Sequence, residues 1–207
     1  MSPESAVIAP SATGAASRAR PSRPRIAHIG AAAHVLPETV VTTEEVAARL
    51  DVDPDWLVSR TGIRSRRALA PGETMLDLCA RASTAALDRA GVSPRAVDLV
   101  LVATITADDR CPAMSPRLAA RIGATGAAAM DVGAACSGFL SGLSLAASQI
   151  ETGRAGTVLL VGADAIRARF VDLDDRATAG LFGDGCGAAV LRAADLEEGD
   201  LEVQGVG

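Results

Sequence analysis

Continuous apolar runs alternate with segments of helical periodicity along most of the chain. Residues 98–103 and 157–162 are almost entirely apolar, as in strands that are buried on both faces of a sheet. A further strand is predicted at 127–131, and amphipathic helices are predicted at 74–90 and around 116–122. Because strands alternate with helices, the pattern predicts an α/β fold with a mixed, mainly parallel sheet covered by helices.

The first part of the chain adds smaller elements. A first strand is predicted at 26–30, where Gly30 closes it. Two short peripheral helices follow, one opened by the Thr-Thr-Glu-Glu run at 42–45 and one by Asp53-Pro54.

The two ends of the chain differ in character. Residues 186–191 and 201–206 predict two strands that pair antiparallel. Residues 1–24 have too little apolar surface to offset the entropy of ordering, so we expect a disordered tail there. The remainder, 25–207, is expected to form one domain.

Composition argues against several classes of function. The 207 residues carry a net charge of −5 and contain no lysine, and they offer no basic stripe with interleaved aromatic residues for nucleic acid. No apolar run reaches the length of a membrane span. The four cysteines are widely spaced and have no histidine near them in sequence, which argues against a zinc site and for free thiols in a cytoplasmic protein.

The segment 131–139 carries the strongest chemical signal. A strand ends there, the small residues 133–135 predict a sharp turn, and Cys136 then opens a helix predicted to run to Thr152. The free N–H groups of the first turn and the helix dipole would stabilise a thiolate, which activates a cysteine nucleophile without a neighbouring base. A small buried hydrophobic side chain suits the same position, so the turn by itself leaves both roles open for Cys136.

A second glycine-rich segment, 183–187, does not fit a phosphate-binding loop. Such a loop needs a lysine, and a dinucleotide fingerprint should open a helix, whereas 188–191 has the character of a strand. The glycines instead indicate close approach of main chains beside the wall of a site. We also expect that the protein uses no cofactor.

Three segments, in order, resemble the beta-ketoacyl-acyl-carrier-protein synthase III (ketosynthase III) family. They are Asp-Trp-Leu-Val-Ser-Arg-Thr-Gly-Ile-Arg at 55–64, Asp-Val-Gly-Ala-Ala-Cys-Ser-Gly-Phe at 131–139, and Asp-Arg-Ala-Thr at 175–178 leading to Phe-Gly-Asp-Gly-Cys-Gly-Ala-Ala at 182–189. The resemblance covers 25–207 and implies the thiolase-like fold, in which two similar halves form an αβαβα sandwich. This chain would supply the N-terminal, nucleophile-bearing half.

The resemblance implies a condensing acyltransferase of fatty-acid or polyketide initiation. An acyl group would pass from acyl-CoA to Cys136, and malonyl-acyl carrier protein would then lose CO₂ and attack the acyl-enzyme, giving a 3-oxoacyl product. Trp56, Arg60 and Arg176 fall on positions that hold CoA. An indole stacks on adenine and guanidiniums suit phosphate, so the residue types agree with this role.

Two further positions resemble the acyl pocket of the family. Phe182 matches a gating position next to the cysteine. Cys111 matches a segment that crosses the interface of a homodimer and closes the partner's pocket, where acetyl-specific members carry a phenylalanine. The smaller side chain predicts a primer larger than acetyl. A loop thiol without a role is the alternative for Cys111.

The family completes its catalytic set with a histidine and an asparagine from its second half. His28 and His34, the histidines of this chain, lie beside the first strand and match neither position. We therefore expect the C-terminal half to be absent, through truncation or because a partner chain supplies it, and we favour truncation. The alternatives to this activity are a ketosynthase-like acyltransferase of natural-product biosynthesis and a non-catalytic dimer partner, although the intact Cys136 argues against the latter.

Overall fold

A computed structural model describes residues 25–195. The elements, in chain order, are β1 (Arg25–Val35), β2 (Thr39–Thr42), α1 (Thr43–Leu50), α2 (Pro54–Thr61), β3 (Ser65–Ala68), α3 (Met75–Ala90), β4 (Leu99–Ala103), α4 (Met114–Ile122), β5 (Ala128–Val132), α5 (Gly138–Glu151), β6 (Thr157–Ala165), α6 (Ile166–Arg169) and β7 (Asp184–Asp195). The tail predicted at 1–24 and the strand predicted at 201–206 lie outside the described residues.

Five of the strands form one sheet in the order β1-β7-β6-β4-β5. β4 pairs parallel with β5 and β6, whereas β7 pairs antiparallel with β6 and β1. Of the five strands, β7 alone therefore runs against the others, and the prediction of a mixed, mainly parallel sheet is confirmed.

The sheet is the middle of three layers. Val100 and Val102 of β4 pack in a core cluster with α3 and α4, and Leu99 and Leu101 pack in a second cluster with α5. Successive side chains of a strand point to opposite faces, so β4 is buried on both. β6 shows the same alternation. These clusters explain why the two strands read as continuous apolar runs.

Small side chains let α5 lie close against the sheet. Its buried residues fall at every fourth position and are Gly138, Gly142, Ala146 and Ile150. A Cβ atom added to Gly142 would lie 2.6 Å from Leu160 Cδ1, so the packing distance there depends on glycine. The other side of α5 is exposed, and Leu140 keeps 66% of its surface accessible.

α1 and α2 form an outer unit with the two-stranded sheet of β2 and β3. Thr42 and Glu45 form the predicted capping box at the start of α1, and Asp53 caps α2, whose first residue is Pro54. The core of the unit consists of Val46, Ala47, Leu50, Leu57 and Ala179. Ala179 comes from the segment before β7, so this core brings that segment against α2.

β1 differs from the strand predicted at 26–30. It continues through Gly30 to Val35, and its register against β7 shifts between Ile29 and Ala31, which places Gly30 at a bulge. A glycine inside an apolar run fits a bulge as well as a turn, and the pattern alone does not separate the two. Over 25–195, no helix is both long enough and apolar enough to cross a bilayer.

Candidate active site

Cys136 lies in the tight connection between β5 and α5. A 3₁₀ turn, Ala135–Ser137, carries it, and Ala135 has a φ of +44°, a strained conformation for alanine. The N–H and Oγ of Ser137 donate to the Ala134 carbonyl at 3.1 and 2.8 Å. The α-helix begins at Gly138, whereas the sequence pattern predicts that it begins at Cys136. The turn leaves the thiol exposed in the described part of the chain.

A cavity of about 260 Å³ adjoins this thiol. Its walls come from the ends of β4 and β6 and the start of α5, and consist of Ala103, Ala135, Cys136, Phe139, Gly162, Ala163 and Asp164. In open α/β sheets, ligands bind beyond the carboxyl ends of the parallel strands, which is where this cavity lies. A Cβ on Gly162 would lie 3.0 Å from Phe139 Cδ2, so glycine at 162 leaves room for the ring.

Asp164 is a wall residue that the sequence patterns did not reveal. Its Oδ1 accepts hydrogen bonds from the Thr104 hydroxyl at 3.2 Å and from the Ile105 N–H at 3.0 Å. The Thr106 hydroxyl donates to the same oxygen at 2.8 Å and accepts from the Ala165 N–H at 2.8 Å. This network joins the end of β4 to the end of β6 beside the cysteine. The sequence feature that could have indicated Asp164 is a carboxylate near the end of a buried strand.

A second cavity, of about 250 Å³, brings together the three residues predicted to hold CoA. Its lining comes from α2 and from the segment before β7, and consists of Trp56, Leu57, Arg60, Thr61, Arg176, Ala177, Gly180 and Leu181. The Arg60 guanidinium carbon lies 5.2 Å from the centroid of the Trp56 ring, within cation–π range. Arg176 Nη2 donates to the Asp51 carbonyl at 3.4 Å. A flat ring and two guanidiniums thus meet at one cavity, a set suited to a nucleobase and phosphate.

Two other predicted residues line neither of these cavities. Cys111 is exposed in the loop between β4 and α4. Phe182 is exposed directly after Leu181. His28 and His34 are exposed on β1, at the sheet edge opposite β5. Among residues 25–195, no group of three or more His, Cys, Asp or Glu side chains is arranged to hold a metal ion.

Known proteins resemble this chain in sequence. The family model for 3-oxoacyl-[acyl-carrier-protein] synthase III matches residues 130–205, a span that contains Cys136. The beta-ketoacyl-[acyl-carrier-protein] synthase III 2 of Streptomyces coelicolor is 51% identical over 160 residues, which are 77% of this chain and 48% of that protein. The synthase III of Pseudomonas aeruginosa is 47% identical over 175 residues, covering 84% of this chain and 52% of that protein. The chain is thus similar to about half of each of these ketosynthase III proteins.

Solved structures of ketosynthase III proteins agree with the fold. The priming beta-ketosynthase from the R1128 polyketide pathway superposes with a TM-score of 0.81 at 38% identity, over 84% of this chain and 52% of the other. The Pseudomonas aeruginosa 3-oxoacyl-(acyl carrier protein) synthase III gives 0.77 at 45% identity, over 85% and 52%. The predicted family and thiolase-like fold are thus confirmed, and the chain spans about half the length of the curated relatives it matches.

Proposed function

We propose that the protein carrying this ketosynthase III chain is a condensing acyltransferase with Cys136 as its nucleophile. The Cys136 thiolate attacks the thioester carbonyl of acyl-CoA, the carbon–sulfur bond to CoA breaks, and CoA leaves as the thiol after taking up a proton. Malonyl-acyl carrier protein then loses CO₂, and its carbanion displaces Cys136 from the acyl group. The products are a 3-oxoacyl-acyl carrier protein and the free cysteine.

The exposed Cys136 thiol, at a cavity beyond the carboxyl ends of β4 and β6, carries this proposal. The position is open to a thioester, and α5 begins two residues later, so its free N–H groups favour negative charge nearby. Acyl transfer needs both properties, because the nucleophile must be reached by the substrate and must ionise.

The Trp56 cavity is proposed as the site of the CoA nucleotide, with Trp56 on the adenine and with Arg60 and Arg176 near the base and phosphates. CoA is a long molecule, so its nucleotide and its thioester can occupy separate cavities. The proximity of Arg60 to the indole supports this role, since it places a positive charge beside the ring on which a base would stack.

We also propose the conditions under which the protein works, its partner, and the roles of Phe182 and Cys111. The protein works without metal or cofactor as a cytoplasmic homodimer, and residues 25–207 form its nucleophile-bearing domain. The exposed Met130 on β5, an edge strand of the described sheet, supports a second copy as partner, because sheet edges readily pair with another chain. Phe182 gates the acyl pocket, and Cys111 faces the partner's pocket, where its small side chain favours a primer larger than acetyl.

Priming of a polyketide is a second candidate, favoured by the likeness to the R1128 priming ketosynthase. Both candidates share the same reaction and the same nucleophile. They differ in the primer and in the carrier protein that receives it.

A condensation assay tests the proposal. The intact protein is mixed with malonyl-acyl carrier protein and with acetyl-, isobutyryl- or octanoyl-CoA, and 3-oxoacyl-acyl carrier protein is measured by mass spectrometry. We expect product with the larger primers in preference to acetyl, by roughly fourfold for each buried methylene, and none from Cys136→Ala. Cys111→Ala removes the other exposed thiol but keeps the side chain small, so it should retain both activity and primer preference. Product from Cys136→Ala would contradict the nucleophile, and a preference for acetyl-CoA would contradict only the primer.

A further inference from the structure

Arg66 is a buried guanidinium between the two walls of the Trp56 cavity. It projects from β3 and keeps 6% of its surface accessible. Its Nη2 donates to the Gly180 carbonyl at 2.7 Å, and its Nη1 donates to the Thr43 hydroxyl at 3.3 Å. Gly180 belongs to the wall formed by Arg176, Ala177, Gly180 and Leu181, hereafter the 176–181 wall.

Thr43 links Arg66 to the chain beside the opposite wall of the cavity. Its hydroxyl donates to the Ile63 carbonyl at 2.7 Å, and its N–H donates to the Arg64 carbonyl at 2.9 Å. Ile63 follows Gly62, the residue that ends α2. The segment that directly follows the α2 wall (Trp56, Leu57, Arg60 and Thr61) is therefore joined to the 176–181 wall through Thr43 and Arg66.

A second guanidinium supports the 176–181 wall in the same way. Arg167 Nη1 donates to the Ala179 carbonyl at 2.9 Å, so two consecutive carbonyls, those of Ala179 and Gly180, are each held by an arginine. Burial lowers the pKa of both guanidiniums, and repulsion from Arg167 lowers that of Arg66 further.

The environment of Arg66 is costly for a charged group. Within residues 25–195 no carboxylate forms an ion pair with it, and its Nε has no hydrogen-bond partner. A buried charge without such partners stabilises a fold poorly, and an apolar side chain of similar volume avoids the desolvation penalty. What a guanidinium offers instead is a rigid, planar fork that donates in two fixed directions.

We propose that Arg66 is a positioning residue for CoA, holding the α2 wall and the 176–181 wall at the separation that the nucleotide requires. The inference rests on the proposed function of the Trp56 cavity as the CoA site. Arg66 itself acts through Thr43 and Gly180 and has no direct contact with CoA in this role.

Trp56 gives a direct readout, because the chain contains one tryptophan and no tyrosine. CoA is titrated into the 207-residue chain while the Trp56 fluorescence is followed. Arg66→Met should weaken CoA binding by about tenfold, and Arg66→Lys by less, because a lysine ammonium keeps the charge and can reach one of the two acceptors. Arg176→Ala, in the wall itself, serves as the reference for a weakened site.

Arg89→Met is the matched control. Arg89 Nη1 also donates to a main-chain carbonyl, that of Ala32 at 2.7 Å, but Arg89 lies on α3 and lines neither of the two cavities. Its loss should leave CoA affinity unchanged.

A purely structural role for Arg66 would lower the urea midpoint of Arg66→Met and leave the affinity of the folded protein as in wild type.

The outcomes separate the two claims. If wild type shows no CoA-dependent change in fluorescence, the proposed CoA site is wrong, and this inference is wrong with it. If wild type binds and Arg176→Ala is weakened, but both Arg66 variants bind as wild type does, only the positioning role is overturned. Should circular dichroism show that Arg66→Met does not fold, Thr43→Val removes the hydroxyl that links Arg66 to the Ile63 carbonyl. It should weaken CoA binding severalfold, and unchanged affinity would contradict the role of Arg66.

Discussion

The four cysteine thiols differ sharply in their surroundings. Cys79 and Cys186 are buried with their sulfur atoms 3.7 Å apart. The hydrogen bond with Cys186, and next the burial, raise the pKa of the Cys79 thiol, so its reactive thiolate is disfavoured. Cys111 and Cys136 are exposed, and Cys136 lies in a 3₁₀ turn that leads directly into α5, a helix of 14 residues. Reactivity should follow these differences.

Alkylation tests this ordering. With limiting iodoacetamide at neutral pH, we expect Cys136 to be modified first, Cys111 more slowly, and Cys79 and Cys186 only after urea is added, as followed by peptide mass spectrometry. Cys111 is the internal control for an exposed loop thiol that lines neither of the two cavities. Faster labelling of Cys111 would show that α5 does not activate Cys136, and labelling of either buried thiol before Cys136 in the native protein would contradict the assignment.

Single residues also mark the limit of what the sequence predicts. The Cys136 turn was predictable because small residues between a strand and a helix favour a sharp connection. Trp56 and Arg176 were predicted from the family resemblance, since by themselves they fit a helix anchor and a solvated charge. Asp164 and Arg66 were not predicted, because their partners are distant in sequence and only the folded chain brings them together.

At the scale of elements, long apolar runs and capping residues predicted strands and helices reliably. The helix predicted at 74–90 is observed as α3, Met75–Ala90, with Thr74 and Gly91 as its caps. β2 and β3 were missed because strands of four residues are too short to show a period. The helix predicted from Cys136 loses its first residues to a 3₁₀ turn, a distinction that local periodicity does not carry.

The packing of α5 on the sheet gives a stability prediction. Gly142→Ala gains about 1 kcal/mol of helix propensity, but its Cβ meets Leu160 Cδ1 at 2.6 Å in a packed core, where overpacking costs about 1–3 kcal/mol. We expect the variant to be less stable by up to about 2 kcal/mol in urea unfolding. Ser144→Ala, on the exposed side of α5, is the control and should be neutral or stabilising. A Gly142→Ala protein more stable than wild type would contradict the close packing.

At the scale of the whole molecule, local sequence patterns could not predict the two cavities or the exposed apolar surface. Phe139, Leu140 and Met130 are large apolar side chains that remain exposed in the described part of the chain. The chain spans about half the length of the ketosynthase III relatives it matches. Sequence periodicity indicates which residues are apolar on one face of an element, whereas their exposure depends on how the folded elements pack.

Acylation of Cys136 is the most direct test of the central claim. The protein is incubated with acyl-CoA in the absence of malonyl-acyl carrier protein, quenched in acid and analysed by intact and peptide mass spectrometry. We expect one acyl group per chain, held on Cys136 as a thioester that hydroxylamine removes, and none on Cys136→Ala. An unmodified Cys136 in wild type, or an acyl group that persists in Cys136→Ala, would contradict the account.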